Sequence, residues 1–213
     1  MARRRRSSSL RLLGILLLIA VAVYRVWQGE WPLPESIPNE GPAKTATKVF
    51  QVLPGARLQA HRSNDGDSFT LSHGGQTYTF RLYFADCPEK ERHGYNEERL
   101  REQGAYFGGL REKETVAIGK LAKERTEEWL NRQPFTVYTK WQGVYDSGRY
   151  YAFVIFADGE DLSEKLVREG LARIHTTGTT LPDGRSRQAF EAHLRNLEGQ
   201  ARAARRGGWG RLN

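Results

Sequence analysis

The sequence predicts an α+β fold. Short segments of strand-like apolar alternation crowd the chain after residue 47. Segments with helical apolar spacing come later, between further strands. The last of them carries a clear helical stripe. With 213 residues, 38% hydrophobic and 11% aromatic, the chain can form one ordinary domain with appendages and is no disordered polymer.

The elements follow in order. Four arginines, Arg3 to Arg6, precede Leu12–Tyr24, thirteen residues without a charge. A spanning helix wants about 20 residues; Leu10 to Trp27 supplies eighteen, with Arg11 and Arg25 near the ends. Residues 1–27 therefore read as a membrane anchor or a signal segment. The anchor reading keeps the arginine-rich N-terminus in the cytoplasm and the rest outside. The signal reading uses Ala20-Val21-Ala22 as a small-x-small cleavage site and makes the protein secreted. Residues 28–46, with Pro32, Pro34, Pro38 and Pro42, read as an extended linker.

Residues 47–213 form the expected domain. Val49–Leu53 and Arg57–His61 are short strand candidates, and Ser68–Ser72 and Gln76–Phe84 are stronger ones. His73-Gly74-Gly75 between the latter two predicts a hairpin turn, because glycine accepts positive φ. Residues 89–114 are charged and predict loop and helix. A helix is predicted over Thr115–Leu130, with Ile118, Leu121 and Trp129 on its apolar face. Phe135–Lys140 and Tyr150–Phe156 are strands. Asp161 with Glu164 three residues on predicts a capped helix start. The last helix, 187–205, carries Phe190, Leu194, Leu197, Ala201 and Ala204.

The net charge of +8 suggests nucleic acid, but its distribution weakens that reading. Residues 1–27 hold six of the 33 basic residues and no acid, so 27 basic residues face 25 acidic ones in the remainder. A C-terminal cluster (Arg195, Arg202, Arg205, Arg206, Arg211) reads as a solvated helix face and tail before it reads as a phosphate-tracking patch. The single cysteine, Cys87, excludes an intrachain disulfide, and the five histidines have no zinc-ligand spacing.

Three pieces carry chemistry. Asn64-Asp65-Gly66-Asp67 precedes a strand, although Asp-Gly alone is a common turn dipeptide. Arg81 to Glu89 brackets an apolar strand with charges at Arg81, Asp86 and Glu89, and Pro88 ends it. Asp146-Ser147-Gly148-Arg149 leads into another strand and taken alone is a turn.

Together the strings DGDSFTL (65–71), FRLYFADCPE (80–89), SGRYYAFVIFADG (147–159) and LVREGLA (166–172) resemble the staphylococcal nuclease (thermonuclease) family in order and spacing, across roughly residues 58–205. The resemblance implies an OB-fold five-stranded β-barrel with about three packed α-helices. It implies one Ca²⁺ held by Asp67, Asp86 and the backbone carbonyl of Cys87. Arg81 and Arg149 match the two phosphate-holding arginines, and Glu89 matches the proposed general base. Hard oxygen ligands leave room on Ca²⁺ for substrate oxygen and water, arginine forks pair phosphate oxygens, and a carboxylate completes an in-line hydrolysis of DNA or RNA by a monomer.

The sequence departs from the family at several places. Cys87 stands where threonine is frequent, which a carbonyl ligand tolerates. Ser147 stands where the archetype has a tyrosine, and His175, Thr176 and Thr177 stand near where it has two more. Tyr145, Tyr151 or His175 are candidates to seat a nucleotide ring in their place, with plain packing as the simpler reading. The stretch after Glu89 is longer than in the archetype, and its Glu91, Glu97 and Glu98 leave a shifted general base open. Two other readings compete: a nucleic-acid-binding module tethered at the membrane without cutting activity, and a tethered structural protein that borrows the barrel.

Overall fold

The computed structural model describes residues 50–210. The expected apolar N-terminal segment and proline-rich linker lie outside the described residues, as does Arg211. The described residues belong to the unit Pro42–Asn213. No helix among them is long and apolar enough to cross a membrane.

In chain order the elements are β1 (Gln51–Pro54), β2 (Arg57–Leu58), β3 (Ser68–His73), β4 (Gln76–Leu82), β5 (Ala85–Asp86), α1 (Glu97–Tyr106), α2 (Glu112–Arg132), β6 (Phe135–Gly143), β7 (Arg149–Phe156), α3 (Leu162–Arg168), β8 (Arg173–Ile174) and α4 (Arg187–Ala203). Among the described residues this is the α+β arrangement expected, with four α-helices instead of about three. The additional one, α1, arises in the long charged stretch after Glu89.

Six strands form one mixed sheet in the order β1-β6-β7-β4-β3-β2, and β5 pairs with β8 in a small second sheet. Only β4 and β7 run parallel. β1 and β2 sit at opposite edges of the six-stranded sheet, yet only Gly55 and Ala56 separate them in the chain. Those residues reach roughly 10 Å, whereas six flat strands would span roughly 24 Å. The sheet must therefore curl until its edges approach. Among the described residues β1 and β2 do not pair, so the expected five-stranded barrel takes the form of a curled six-stranded sheet without a closing ladder.

The interior of the curl is apolar: Phe69, Leu71, Phe80, Leu82, Val137 and Val154 are fully or almost fully buried. The hairpin β3–β4 turns at Gly74 and Gly75, both at positive φ, as the sequence predicts. α4 buries Phe190, Leu194, Leu197 and Ala201; Ala204 lies just past the helix end and is exposed. The α3 cap forms as predicted. Asp161 accepts from the Ser163 N–H, and Glu164 accepts from the Asp161 N–H.

Two expectations are corrected. The strand predicted to run through Phe84 stops at Leu82, because Phe84 takes φ 64°. That left-handed backbone is uncommon for a bulky residue. It is held by two pairings, Phe84 N–H to the Thr177 carbonyl and His175 N–H to the Phe84 carbonyl, and by the buried ring packing on Phe190 at 5.0 Å. The buried face of α2 also differs: Ile118 is on it, but with Thr115, Gly119, Ala122, Thr126 and Leu130. Leu121 and Trp129 are only partly buried. Small residues occupy this face because two backbone loops press against it, and both loops carry predicted site residues.

Candidate active site

The first loop is Asp65-Gly66-Asp67. Asp65 Oδ1 accepts from the N–H groups of Asp67 and Ser68, closing the turn. Burial, then the neighbouring Asp67 carboxylate, push the Asp65 carboxyl well above the usual range. Gly66 is needed for space: a Cβ there would stand 2.6 Å from Cys87 Sγ and 2.7 Å from Ala122 Cβ. Thr126 of α2 donates to the Gly66 carbonyl at 2.8 Å. The second loop, Pro88-Glu89, lies on Gly119 of α2, where a Cβ would meet both carbonyl oxygens at 2.4 Å. One helix thus anchors both acidic segments.

Strand register supplies the arginines. Ser68 of β3 faces Arg81 of β4, and β4 runs beside β7 so that Arg81 faces Tyr151 and Thr79 faces Arg149. Both arginines reach one hydroxyl: Ser68 Oγ accepts from Arg81 Nη1 at 3.2 Å and from Arg149 Nη1 at 3.1 Å. Ser68 Oγ itself donates to Asp67 Oδ1 at 3.0 Å.

Arg81, only 7% exposed, lies between the two buried acids. It is 3.1 Å from Asp67 and 2.5 Å from Asp86. Burial alone would lower its pKa, but Asp67, then Asp86 and Asp65, hold the guanidinium charged. Asp67 Oδ2 also accepts from the Cys87 N–H at 2.7 Å.

Asp86 is placed by the kink at Phe84, which starts β5 in a new direction and pairs it with β8, with Asp86 opposite Arg173. Asp86 Oδ2 accepts from Arg173 Nε at 2.7 Å and from Gln103 Nε2 at 3.2 Å. Its Oδ1 accepts from Arg81 and from Arg99 Nη2, the latter at 2.7 Å. Burial would raise the Asp86 carboxyl, but Arg99, Arg81 and Arg173 outweigh it and hold it below the usual carboxylate value. Gln103 also donates to the Cys87 carbonyl at 3.0 Å and accepts from the Glu89 N–H. Glu89 Oε1 lies 3.0 Å from Arg99 Nε.

The five predicted side chains Asp67, Arg81, Asp86, Glu89 and Arg149 therefore join one connected network. Arg81, Asp86 and Arg149 line an open cleft of about 610 Å³, together with Arg99 and Glu98 from α1 and with Arg173 and His175. Tyr151 also borders it, but its buried ring stacks on Tyr83 at 5.1 Å, which is packing before it is ring seating. Cys87 is a buried free thiol whose pKa burial pushes well up.

Sequence reasoning missed Ser68, Arg99, Gln103 and Arg173. Ser68 stands inside the DGDS string, and Arg99 and Gln103 are four apart and so share a face of α1. Arg173 directly follows the LVREGLA string, but nothing in the sequence pairs it with Asp86.

The donor set suits a hard cation in kind. Asp67, Asp86 and the Cys87 carbonyl are oxygens tied together by the Cys87 N–H and by Gln103. No group of three or more His, Cys, Asp or Glu side chains placed to hold a metal occurs among the described residues. Both oxygens of each acid already accept two hydrogen bonds or ion pairs. A cation would compete with these donors for the carboxylate oxygens, and of the three arginines on Asp86 Arg99 is the exposed one, its side chain 42% accessible against 8% for Arg81 and 7% for Arg173.

The model of the staphylococcal nuclease homologue family matches residues 79–211. The match runs from β4 through α4 and contains Arg81, Asp86, Glu89, Arg149 and Arg173, while Asp67 lies just before it. Covering more than half of the sequence, it shows that the chain belongs to the staphylococcal nuclease homologue family.

Proposed function

We propose that this nuclease-family chain is a calcium-dependent hydrolase that cuts phosphodiester bonds of DNA, RNA or both, with the curled sheet serving as the family's OB barrel. The observation that carries the reading is the convergence of Arg81 and Arg149 on the Ser68 hydroxyl, beside the acids Asp67 and Asp86. Two guanidinium groups held about one hydroxyl apart are spaced to grip the oxygens of a single phosphate.

Arg149 holds the phosphate from the open side of the cleft, and Arg81 holds it from below. Each presents a planar fork of N–H donors, so both can take up the charge that builds on the phosphate oxygens in the transition state. Asp67, Asp86 and the Cys87 carbonyl would hold one Ca²⁺, which when bound supplies charge neutralisation and orients the attacking water. Glu89 accepts the proton of that water once Arg99 leaves its carboxylate. The leaving oxygen departs in line and takes a proton from the water that fills the open cleft, with no covalent enzyme intermediate.

The second reading is a nucleic-acid-binding module with little or no activity. The saturation of Asp86 by three arginines favours it, because the cluster is charge-balanced as it stands. In either case residues 47–213 act as the working domain, monomeric and outside the cytoplasm, with 28–46 as linker and 1–27 as anchor or cleaved signal.

The test is release of acid-soluble nucleotides from single-stranded DNA and from RNA by the full chain, with Ca²⁺, with chelator, and with the double variant Glu89→Gln, Arg149→Ala. Cleavage that needs Ca²⁺ and vanishes in the variant is the expected result. A folded protein that binds nucleic acid and leaves it intact establishes the binding module instead.

A further inference from the structure

A second cavity, of about 220 Å³, lies between α4 and the chain at the end of β8. α4 contributes Arg187, Glu191 and Arg195, which follow one another at intervals of four and so share one face of the helix. Ile174, His175 and Thr176 line it from β8 and beyond, and the buried Phe84 ring is its largest apolar side chain. His175 and Thr176 also line the arginine cleft, so the two cavities share a wall.

That wall is fixed by the backbone. The His175 N–H donates to the Phe84 carbonyl at 2.9 Å, and the Thr176 hydroxyl donates to the Leu82 carbonyl at 3.1 Å. The kink at Phe84 that redirects β5 thus also sets the boundary between the cavities.

The three arginines of α4 are not alike. Arg187 pairs with Glu191 at 2.7 Å, and Arg202 pairs with Glu198 at 3.2 Å and lies over the Trp209 ring at 4.0 Å. Arg195 lines the cavity, is exposed, and among the described residues engages no hydrogen bond or ion pair. No internal partner accounts for its charge.

A polynucleotide gripped at Arg81 and Arg149 must leave the cleft along some wall. At α1 it meets Glu98 and Glu102, which repel phosphate, and Arg99, which Asp86 and Glu89 already engage. Past His175 and Thr176 it meets Arg195. We propose that the cavity against α4 is a second phosphate subsite, in which Arg195 takes a backbone phosphate of the strand held at Arg81 and Arg149. This rests on the reading of those two arginines as phosphate binders. Glu191 weakens the subsite, because it occupies Arg187 and repels the incoming phosphate.

The experiment measures binding by the full chain, in chelator so that nothing is cut. The probes are a dinucleotide and a single strand about 12 nucleotides long, within the reach of one site of this kind. Arg195→Gln is expected to weaken the longer strand about 5-fold at low salt. It should also make the salt dependence shallower by about 0.7, one phosphate contact, and leave the dinucleotide unchanged. Arg195→Lys keeps the charge and most of the affinity. Glu191→Gln should tighten the longer strand, a gain that damage to the fold would not produce. Arg205→Gln removes an exposed charge outside the cavity and is expected to change nothing.

Unchanged melting temperatures verify that the variants fold. No loss in Arg195→Gln overturns the subsite. So does an equal loss for both probes, or an equal loss in Arg205→Gln, which would mean general attraction. Inorganic phosphate is titrated separately: binding that depends on Arg195, with the longer strand unaffected, would make the cavity a free-anion site and overturn the strand contact. Arg149→Ala reports on the underlying reading, since it should weaken both probes alike. An Arg195 effect without an Arg149 effect keeps a phosphate site at α4 and removes the grip in the cleft; the converse keeps the grip and removes the subsite.

Discussion

Arg99 Nη2 lies 2.7 Å from Asp86 Oδ1 while Arg99 Nε lies 3.0 Å from Glu89 Oε1, so one half-exposed guanidinium joins the second acid of the site to its proposed base. Arg99 comes from α1, the helix in the long stretch after Glu89. It is the most exposed of the three arginines on Asp86 and so the one a divalent ion would displace most readily. Arg99→Ala is therefore expected to tighten Ca²⁺ binding about 5-fold, the size of a partly exposed ion pair, measured by calorimetry on the full chain. Weaker Ca²⁺ binding in the variant would place Arg99 among the groups that support the metal instead of opposing it.

Arg81 and Arg149 are expected to differ in stability while agreeing in activity. Loss of either lowers the cleavage rate about 10²-fold or more. Arg81→Ala also leaves Asp67 and Asp86 buried without their shared partner, which costs on the order of 3–5 kcal/mol. Arg149 is half-buried and pairs only with the hydroxyls of Ser68 and Ser147, so Arg149→Ala leaves the melting temperature almost unchanged. Chemical denaturation of the two variants side by side measures the contrast, and equal stability loss would contradict the burial argument.

Two helical glycines predict opposite signs. Gly119→Ala puts a Cβ into the Pro88 and Glu89 carbonyls at 2.4 Å, so α2 must move off the Glu89 loop, at about 1–3 kcal/mol or more. Gly199 in α4 is exposed, with nothing within 4 Å of an added Cβ. Gly199→Ala should stabilise by about 0.5–1 kcal/mol through helix propensity alone. Thermal melts of both variants decide it; destabilisation by Gly199→Ala would show a hidden contact.

Asp161 gives a pH dependence with a definite sign. Burial raises its carboxyl to about 7, against which the Ser163 hydrogen bonds act, and its Oδ2 has no hydrogen-bond partner. The folded state therefore holds a proton that the unfolded state releases near pH 4. Stability falls as pH rises from about 4 to about 7 and is flat above that. Asp161→Asn keeps the cap, because asparagine caps as well as aspartate, and removes the charge. Its stability relative to the parent should rise between pH 5 and pH 8 by on the order of 2 kcal/mol. A constant difference across that range would mean that Asp161 stays ionised throughout.

Much of the site is legible in the chain itself. The hairpin glycines, the Asp161–Glu164 cap and the α4 stripe are local features, and each forms where the periodicity and the turn chemistry place it. Asp67, Arg81, Asp86, Glu89 and Arg149 lie in short strings whose order is visible along the sequence. The partners of Asp86 were not visible there. Arg173 is 87 residues away and meets Asp86 only because Phe84 adopts a left-handed backbone and redirects β5 onto β8. Gly66 looks like a turn residue but is demanded by the closeness of Cys87 and Ala122. Ser68 becomes the meeting point of two arginines through the registers of three strands. Local conformation depends on neighbouring residues and can be read from them. The charge balance around a buried carboxylate depends on which remote segments the packed sheet brings within hydrogen-bonding distance, and only the tertiary structure decides that.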